Sequence, residues 1–174
     1  MFILKRENTT ELMTNKFNEI SEFGKKLTAL ENMDNTLALI SDEAKTLLNA
    51  ERCSIFIVDD EDQILWTKIS DGIGRIVISL TSGIVGDTYQ TQKPQIVNTP
   101  YDDPRFLQNI DKKSGYVTKN MITVPIFNSK RAVMGVLQLL NKSRFDFSEE
   151  DLETLTFFAN YVSGSLELVL MRES

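Results

Sequence analysis

The chain has 174 residues, of which 41% are hydrophobic and 25% are charged. This length predicts one domain, and folding at this size buries about 70% of the surface that the unfolded chain exposes. Nineteen basic and 25 acidic residues give a net charge of −6, which argues against broad binding to nucleic acid or to anionic membranes.

The absence of histidine and the single cysteine exclude several kinds of chemistry. Without histidine there is no His-metal site, no Ser-His or Cys-His nucleophile pair and no proximal-His haem site. Cys53 cannot form an internal disulfide, which fits a reducing cytosol. No apolar run approaches the ~20 residues of a membrane span. We therefore expect a cytoplasmic, non-catalytic protein with no required cofactor and no metal, nucleic-acid or membrane partner.

The first third of the chain has the periodicity of two amphipathic helices. Residues 1–11 lack a clear period, and we expect 1–14 to be a leader or connector. From Met13 onward, apolar residues recur every three or four positions. Asp34 is predicted as the N-cap of the second helix. The apolar positions of these two helices are Ile20, Phe23, Leu27, Leu30, Leu37, Ile40, Ala44, Leu47 and Leu48.

The middle of the chain changes to short β-branched runs separated by turn residues. A glycine-bounded segment, residues 83–86, opens a short helix that Pro94 ends. The polar stretch 98–119 predicts an irregular loop with a short helix near 104–109, and a loop of this length is usually functional. Strands are predicted over 54–58, 64–69, 75–80, 96–97, 121–127 and 132–140.

The last segment predicts a long helix with Ser148 as its N-cap and Asp151 completing a capping box. Apolar residues at 152, 155, 159, 162, 166 and 169 form a heptad seam, which packs either on the chain's own sheet or on a second subunit. We expect a homodimer through the terminal helices. Helices flanking hairpin-connected strands predict an α+β fold with a largely antiparallel sheet of about six strands.

Several motifs occur together in the order and spacing of one known family. They are Arg52-Cys53-Ser54 before an acidic turn, Ser70-Asp71-Gly72, Gly83-Ile84-Val85-Gly86, Tyr101-Asp102-Asp103-Pro104-Arg105-Phe106, Gly115-Tyr116 with Thr118 and Asn120, and Met134 to Lys142. From 15 to 170 the sequence therefore resembles a single GAF domain, the ligand-sensing module of cyclic-nucleotide phosphodiesterases and bacterial adenylyl cyclases, with 171–174 as a tail.

The resemblance also implies an arrangement around a pocket. The terminal helices would lie on one face of the sheet, with short helices and a lid loop over a pocket on the other. A motif of the cyclic-nucleotide-binding branch, written NKFDE, is represented by Asn141, Lys142, Phe147 and Asp151, with Leu152 in place of its Glu. In the family the Lys and Asp of this motif pair with each other and stabilise the fold beside the pocket.

The same resemblance implies which positions contact a ligand. The backbone amides of Ile84 and Val85 would bind a phosphate, and Ser54 and Asp71 fall on positions that contact the base. The remaining ligand-binding positions are Leu107, Asp111, Ser114 and Thr118 in the lid and Gln138 on a strand.

The implied function is that of a regulatory sensor. Its ligand would be cyclic AMP or cyclic GMP, and the terminal helices would relay occupancy to an output domain outside this chain, as in bacterial signalling proteins. Two alternatives remain open: the pocket senses another small metabolite, or it is degenerate and the domain serves only as a dimerisation or interaction module.

Overall fold

The computed structural model describes residues 2–27, 32–70 and 74–172. Over these residues, helices cover both faces of a single six-stranded sheet. The helices are α1 (Phe2–Leu27), α2 (Met33–Leu48), α3 (Gly83–Thr91), α4 (Gln108–Ser114) and α5 (Glu149–Arg172), with a short 3-10 helix at Pro100–Asp102. The strands are β1 (Ala50–Asp59), β2 (Ile64–Ser70), β3 (Val77–Ser79), β4 (Gln95–Val97), β5 (Met121–Phe127) and β6 (Val133–Lys142).

The sheet has the order β3-β2-β1-β6-β5-β4, and each adjacent pair is antiparallel. Its two central strands, β1 and β6, pair over almost their whole length, with Ser54 opposite Gln138. Gln138 in turn lies opposite Thr123 of β5. The predicted α+β fold with six largely antiparallel strands is therefore confirmed.

One face of the sheet is covered by α1, α2 and α5, and the main hydrophobic core lies between them. The heptad seam of α5 faces inward, and Leu155, Val162 and Leu166 on it are completely buried against the sheet and α2. Phe158, which lies off the seam, is also fully buried, whereas Phe157 and Leu168 remain 42% and 50% exposed. The seam is thus used for packing within the chain.

Local polar contacts explain where the structure departs from the predicted element ends. Asn32, not Asp34, is the N-cap of α2, because its side chain accepts a hydrogen bond from the Asn35 N–H at 2.8 Å. The lid helix α4 begins at Gln108 and not near 104, because the Asp103 carboxylate accepts the Arg105 N–H at 2.9 Å and holds that segment in a turn.

One further difference concerns the first helix. α1 begins at Phe2, well before Met13, although residues 1–11 show no amphipathic period. Leucine, lysine, arginine and glutamate in this stretch favour helix without requiring a buried face, so periodicity alone missed it. Leu30 lies outside the described residues. None of the helices in the described ranges is long and apolar enough to cross a bilayer.

The start of α5 is joined to the end of β6 by an ion pair. Lys142 Nζ lies 2.5 Å from Asp151 Oδ2, and the two side chains are only 19% and 12% exposed. The same Asp151 oxygen accepts the Ser148 N–H at 2.9 Å, while the Asp151 N–H donates to Ser148 Oγ at 3.2 Å. Asp151 therefore completes a capping box and neutralises a largely buried lysine.

The contact between α1 and α2 contains a pair of carboxyl groups. Glu43 Oε1 is buried and has no hydrogen-bond partner in the part of the chain that the structure describes. Burial, together with the charge of Glu19 and a hydrogen bond shared with it, raises the pKa of Glu43 from 4.5 to about 7, and Lys26 offsets this only in part. The contact is therefore sensitive to pH.

Replacing Lys142 with Met should lower the free energy of unfolding by about 3 kcal/mol, because it leaves a largely buried carboxylate unpaired. The double variant Lys142→Met/Asp151→Asn should recover much of this loss. The amide oxygen of the new asparagine can still accept the Ser148 N–H, and no unpaired carboxylate is left in the largely buried site. Urea unfolding measures both values. Lys119→Met, at an exposed lysine, should stay within about 0.5 kcal/mol of the wild type. Equal losses in the single and double variants would contradict this account.

Glu43→Gln should change the pH dependence of stability. Between pH 4.5 and about 7 the folded protein keeps a proton on Glu43 that the unfolded chain releases, so this group's contribution to stability is lost as the pH rises. The variant should therefore melt higher than the wild type at pH 8 and show a smaller decline across this window. Thermal melting over a pH series tests this, with Glu11→Gln at an exposed position of α1 as the control. Parallel profiles for Glu43→Gln and wild type would refute it.

Candidate functional site

A cavity lies between the sheet and the layer formed by α3 and α4. The empty space inside it, counted together with the open solvent at its mouth, is about 610 Å³. Its floor is formed by alternate residues of β1 and β6 with one residue of β5. The floor residues are Arg52, Ser54, Phe56, Gln138, Leu140 and Met121.

The walls and the lid are mostly apolar. They come from the segment that includes β3, from the first turn of α3 and from the lid segment around α4. These residues are Ile76, Ile78, Gly83, Ile84, Val85, Phe106, Leu107, Ile110, Asp111 and Thr118.

The pleat of β1 explains why its side chains lie alternately in the cavity and in the core under the helices. Successive side chains of a strand point to opposite faces, so Ser54 faces the cavity while Cys53 and Ile55 enter the helix-side core. The pairing of Ser54 with Gln138 places two polar groups side by side on the cavity floor.

The first turn of α3 opens on the cavity. Gly83 has a φ of +71°, a conformation that favours glycine, and a Cβ there would lie 3.1 Å from the Leu107 side chain. Gly86 is required for packing, since a Cβ there would lie 2.8 Å from the Thr81 carbonyl carbon. Ser82, the N-cap, makes no side-chain cap bond in the described chain. The N–H groups at the positive end of this helix can therefore take an anionic partner.

Asp111 anchors the lid from inside the protein. Its carboxylate accepts the Thr118 N–H at 2.8 Å, the Thr118 hydroxyl at 2.9 Å and the Tyr101 hydroxyl at 2.7 Å. Asp111 and Thr118 are 5% and 1% exposed. The hydrogen bond from Tyr101 to this carboxylate raises the pKa of Tyr101. The polar groups of Asp111 and Thr118 thus line the cavity but bind each other.

A second contact holds the beginning of the lid against α3. Arg105 forms a two-point pair with Asp103, with Nη2 donating to Oδ2 at 2.7 Å and Nε to Oδ1 at 3.0 Å. Its Nη1 donates to Asp87 of α3 at 2.8 Å and to Gln95 of β4 at 2.7 Å. The hydrogen bonds from Arg105 lower the pKa of Asp103. This network connects three elements beside the cavity.

The far end of the lid is fastened to β6 by Asn141. Its side-chain oxygen accepts the Lys119 N–H at 2.7 Å, and its amide nitrogen donates to the Val117 carbonyl at 2.9 Å. The Lys142 N–H donates to Asn120 Oδ1 at 2.9 Å. Asn141 and Lys142 therefore hold the rim of the cavity in place, and Phe147 is buried in the helix-side core.

The structure brings most of the predicted ligand-binding positions to one cavity. These are Ser54, Ile84, Val85, Leu107, Asp111, Thr118 and Gln138. Ser114 lies at the exposed end of α4, outside the cavity lining, and its hydroxyl donates to the carbonyls of Ile110 and Asp111 at 3.2 Å. Asp71 lies outside the described residues.

Sequence reasoning missed Arg52, a charged residue on the cavity floor. Its guanidinium carbon lies 3.7 Å from the centre of the Tyr116 ring, and its Nη1 is buried with no hydrogen-bond partner among the described residues. The two-residue period of a strand was the available signal, since it places Arg52 and Phe56 on the same face as Ser54.

Two curated proteins are similar to this chain over most of its length. It is 28% identical over 149 residues to the probable 3',5'-cyclic phosphodiesterase pde-5 of Caenorhabditis elegans, covering 78% of this chain and 20% of that protein. It is 32% identical over 155 residues to the dual 3',5'-cyclic-AMP and -GMP phosphodiesterase 11A of Takifugu rubripes, covering 76% and 17%. The chain thus spans about one fifth of the length of these relatives.

Solved structures share the fold at low sequence identity. The GAF domain of a phosphoenolpyruvate-protein phosphotransferase from Coxiella burnetii superposes with a TM-score of 0.81 at 17% identity, covering 92% of this chain and 97% of that one. The corresponding domain from Acinetobacter gives 0.77 at 20% identity, covering 91% and 96%. A free methionine-R-sulfoxide reductase from Neisseria meningitidis gives 0.75 at 16% identity, covering 88% and 89%.

The family itself is established by a match over most of the chain. The sequence model of the GAF domain family matches residues 32–166, from the N-cap of α2 into the last turns of α5. The matched segment contains the whole sheet, the cavity and its lid. This chain belongs to the GAF domain family.

Proposed function

We propose that this chain is a regulatory sensor domain whose cavity binds a cyclic nucleotide, cyclic AMP or cyclic GMP. The observation that carries the proposal is that one cavity combines a helix N-terminus, an apolar slot and a polar floor. A cyclic nucleotide has an anionic phosphate, a flat ring and a polar base edge, so each part of the cavity has a matching part of the ligand.

The phosphate is assigned to the first turn of α3. Backbone N–H groups of Ile84 and Val85 lie at the positive end of the helix dipole, where an anion is stabilised. Both residues line the cavity, and their side chains are only 2% and 4% exposed. An anion held there is shielded from bulk water, which strengthens its interaction with the amides.

The base is assigned to the slot between the sheet and the lid. Phe56, Leu107 and Ile110 supply apolar contacts to a planar ring, and Ser54 and Gln138 supply polar groups at its edge. The similarity to relatives named as cyclic-nucleotide phosphodiesterases supports this ligand class.

The sheet connects the cavity to the terminal helices. Gln138 of β6 lines the cavity, whereas its neighbours Leu137 and Leu139 are buried in the core that α1, α2 and α5 share. Glu167 of α5 also accepts hydrogen bonds from the Ser129 N–H at 2.9 Å and its hydroxyl at 2.8 Å, in the β5–β6 turn. We propose that α5 has two positions and that the ligand binds more tightly to the domain in one of them. Binding then shifts the equilibrium between the two positions, and this change is passed to an output domain outside this chain.

Binding without catalysis is the role that the residues support. Cys53 is the one thiol in the sequence, and it is completely buried on the helix side of the sheet, opposite the cavity. The likeness to a methionine sulfoxide reductase therefore extends to the fold and not to a thiol facing the cavity.

Millimolar cyclic AMP or cyclic GMP should raise the melting temperature of the purified chain. Ligand at ~100 times its dissociation constant adds about 2.7 kcal/mol of stability, or about 5–10 °C for a domain of this size. Ile110→Trp should abolish the shift, because the indole occupies the slot from the lid side. Melting curves with each cyclic nucleotide, and with 5'-AMP and 5'-GMP for comparison, measure the effect.

The matched control is Lys112→Trp, which places the same side chain at an exposed position of the same helix. It should keep the full shift. No shift with either cyclic nucleotide in the wild type would reject the proposed ligand class. An unchanged shift in Ile110→Trp would place binding outside this cavity.

A second function, dimerisation, is favoured by aromatic groups on the outer surface of α1 and α5. The rings of Phe17 and Phe157 lie 4.8 Å apart, and Tyr161 stacks on Phe157 at 6.2 Å. These side chains are 40%, 42% and 44% exposed, so together they form an apolar surface at the helix pair. We propose that this surface pairs with a second copy of the chain.

Sedimentation velocity should show a dimer for the wild type and a monomer for Phe157→Glu, because the carboxylate would be desolvated at the interface. Phe145→Glu is the control, since Phe145 is 89% exposed but lies in the loop before α5. It should remain dimeric. A monomeric wild type at high concentration, or a dimeric Phe157→Glu, would contradict dimerisation through these helices.

A further inference from the structure

The guanidinium of Arg52 is an unusual group on the cavity floor, because a buried donor normally has an acceptor. Nη1 is buried and unpaired with respect to the described residues, while the residue itself lines the cavity. An arginine is always protonated in proteins and cannot become neutral to relieve this cost. Among the described residues Nη1 therefore has no acceptor, and a ligand in the cavity can provide one.

The guanidinium is also held in one orientation. It stacks on the Tyr116 ring at 3.7 Å, and the Tyr116 hydroxyl donates to Glu51 Oε2 at 2.7 Å. Asn141 Nδ2 donates to the same carboxylate oxygen at 3.4 Å. The contact with the ring occupies one face of the guanidinium and uses none of its N–H groups as hydrogen-bond donors, so these donors are positioned before a ligand arrives.

The other polar side chains that line the cavity discriminate less between one purine base and another. Asp111 and Thr118 bind each other. The Gln138 amide carries both donors and an acceptor, so it accommodates either polarity of a base edge. Of the described residues that line the cavity, Arg52 alone has a side chain that only donates.

The two purine bases differ in what they offer to such a group. Guanine presents two acceptors, O6 and N7, on one edge, and their spacing matches the fork of a guanidinium. Adenine keeps N7 but places the N6 amino group, a donor, where guanine has O6. A donor facing a fixed donor leaves both without a partner in a buried site.

From these contacts we infer that Arg52 is the specificity-determining residue of the cavity and selects a cyclic nucleotide whose base carries the O6/N7 acceptor edge, as cyclic GMP does. The inference rests on the proposed function, since it assigns a ligand preference to the same cavity. It assigns the phosphate to α3 and the base edge to Arg52, at different parts of the site.

Isothermal titration of the 174-residue chain with cyclic GMP, cyclic IMP and cyclic AMP tests this preference. Cyclic IMP keeps O6 and N7 but lacks the 2-amino group, so it should bind as cyclic GMP does. Both should bind roughly 5- to 150-fold more tightly than cyclic AMP, the range that one bidentate pair provides.

Two substitutions at Arg52 separate its donor geometry from its charge. Arg52→Met, which keeps the length of the side chain, should reduce affinity for cyclic GMP and cyclic IMP to that for cyclic AMP, while cyclic AMP binding changes little. Arg52→Lys keeps the charge without the planar fork and should also lose most of the preference. Arg75→Met is the matched control, because Arg75 stacks on Trp66 at 4.7 Å and does not line this cavity. Melting curves of each variant confirm that it is folded.

The outcomes distinguish this inference from the proposed function. If the wild type binds cyclic AMP as tightly as cyclic GMP, the role of Arg52 in specificity is overturned. The proposed function as a cyclic-nucleotide sensor would still stand. Equal weakening of all three nucleotides in Arg52→Met would place Arg52 at the phosphate or ribose and overturn the role as well. No binding of any of the three would reject both.

Discussion

The structure depends on one constraint, the alternation of side chains along two central strands that are covered on both faces. In β1 and β6 successive side chains face either the α1–α2–α5 layer or the opposite side, where the cavity and the apolar cluster around Val85 lie, and neither face is left to solvent over most of the length. Cys53 and Leu139 complete the core under α1, α2 and α5, while Ser54 and Gln138, their chain neighbours, form the cavity floor. The cavity and the terminal helices are therefore separated by the thickness of one sheet.

Polar networks keep the cavity open without filling it. Asp111 with Tyr101 and Thr118, Arg105 with its carboxylate partners, and Asn141 each fasten one part of the lid, and each uses its hydrogen-bonding groups on protein atoms. Among the described residues, the groups that remain for a ligand are the first-turn amides of α3, the Gln138 amide and the guanidinium of Arg52. A small number of available groups in an apolar slot is what gives a binding site its selectivity.

Most of the fold could be predicted from the chain, and part of the site. The apolar periods of α2 and α5 and the β-branched runs were enough to predict the helices and strands. Burial of one face fixes the spacing of apolar residues in a helix and the register of a strand. Thr118 shows the limit: its motif predicts a ligand-binding role, and the residue lines the cavity, but its hydroxyl donates to Asp111 seven residues away. Arg52 shows the converse, since no local pattern reveals that Nη1 of this β1 residue has no hydrogen-bond partner among the described residues.

By itself, the sequence determined the class of protein, the order of its elements and the absence of histidine-based chemistry, since composition and periodicity are properties of the chain alone. The family resemblance carried by the motifs around residues 83–86 and 101–106 also predicted which segments lie beside a pocket. Only the tertiary structure decided which donors are already satisfied, which face of α5 is buried and that Arg52 Nη1 has no partner among the described residues. These depend on contacts between residues far apart in the chain, such as Glu51, Tyr116 and Asn141, which meet beside Arg52 only once the sheet and the lid have come together.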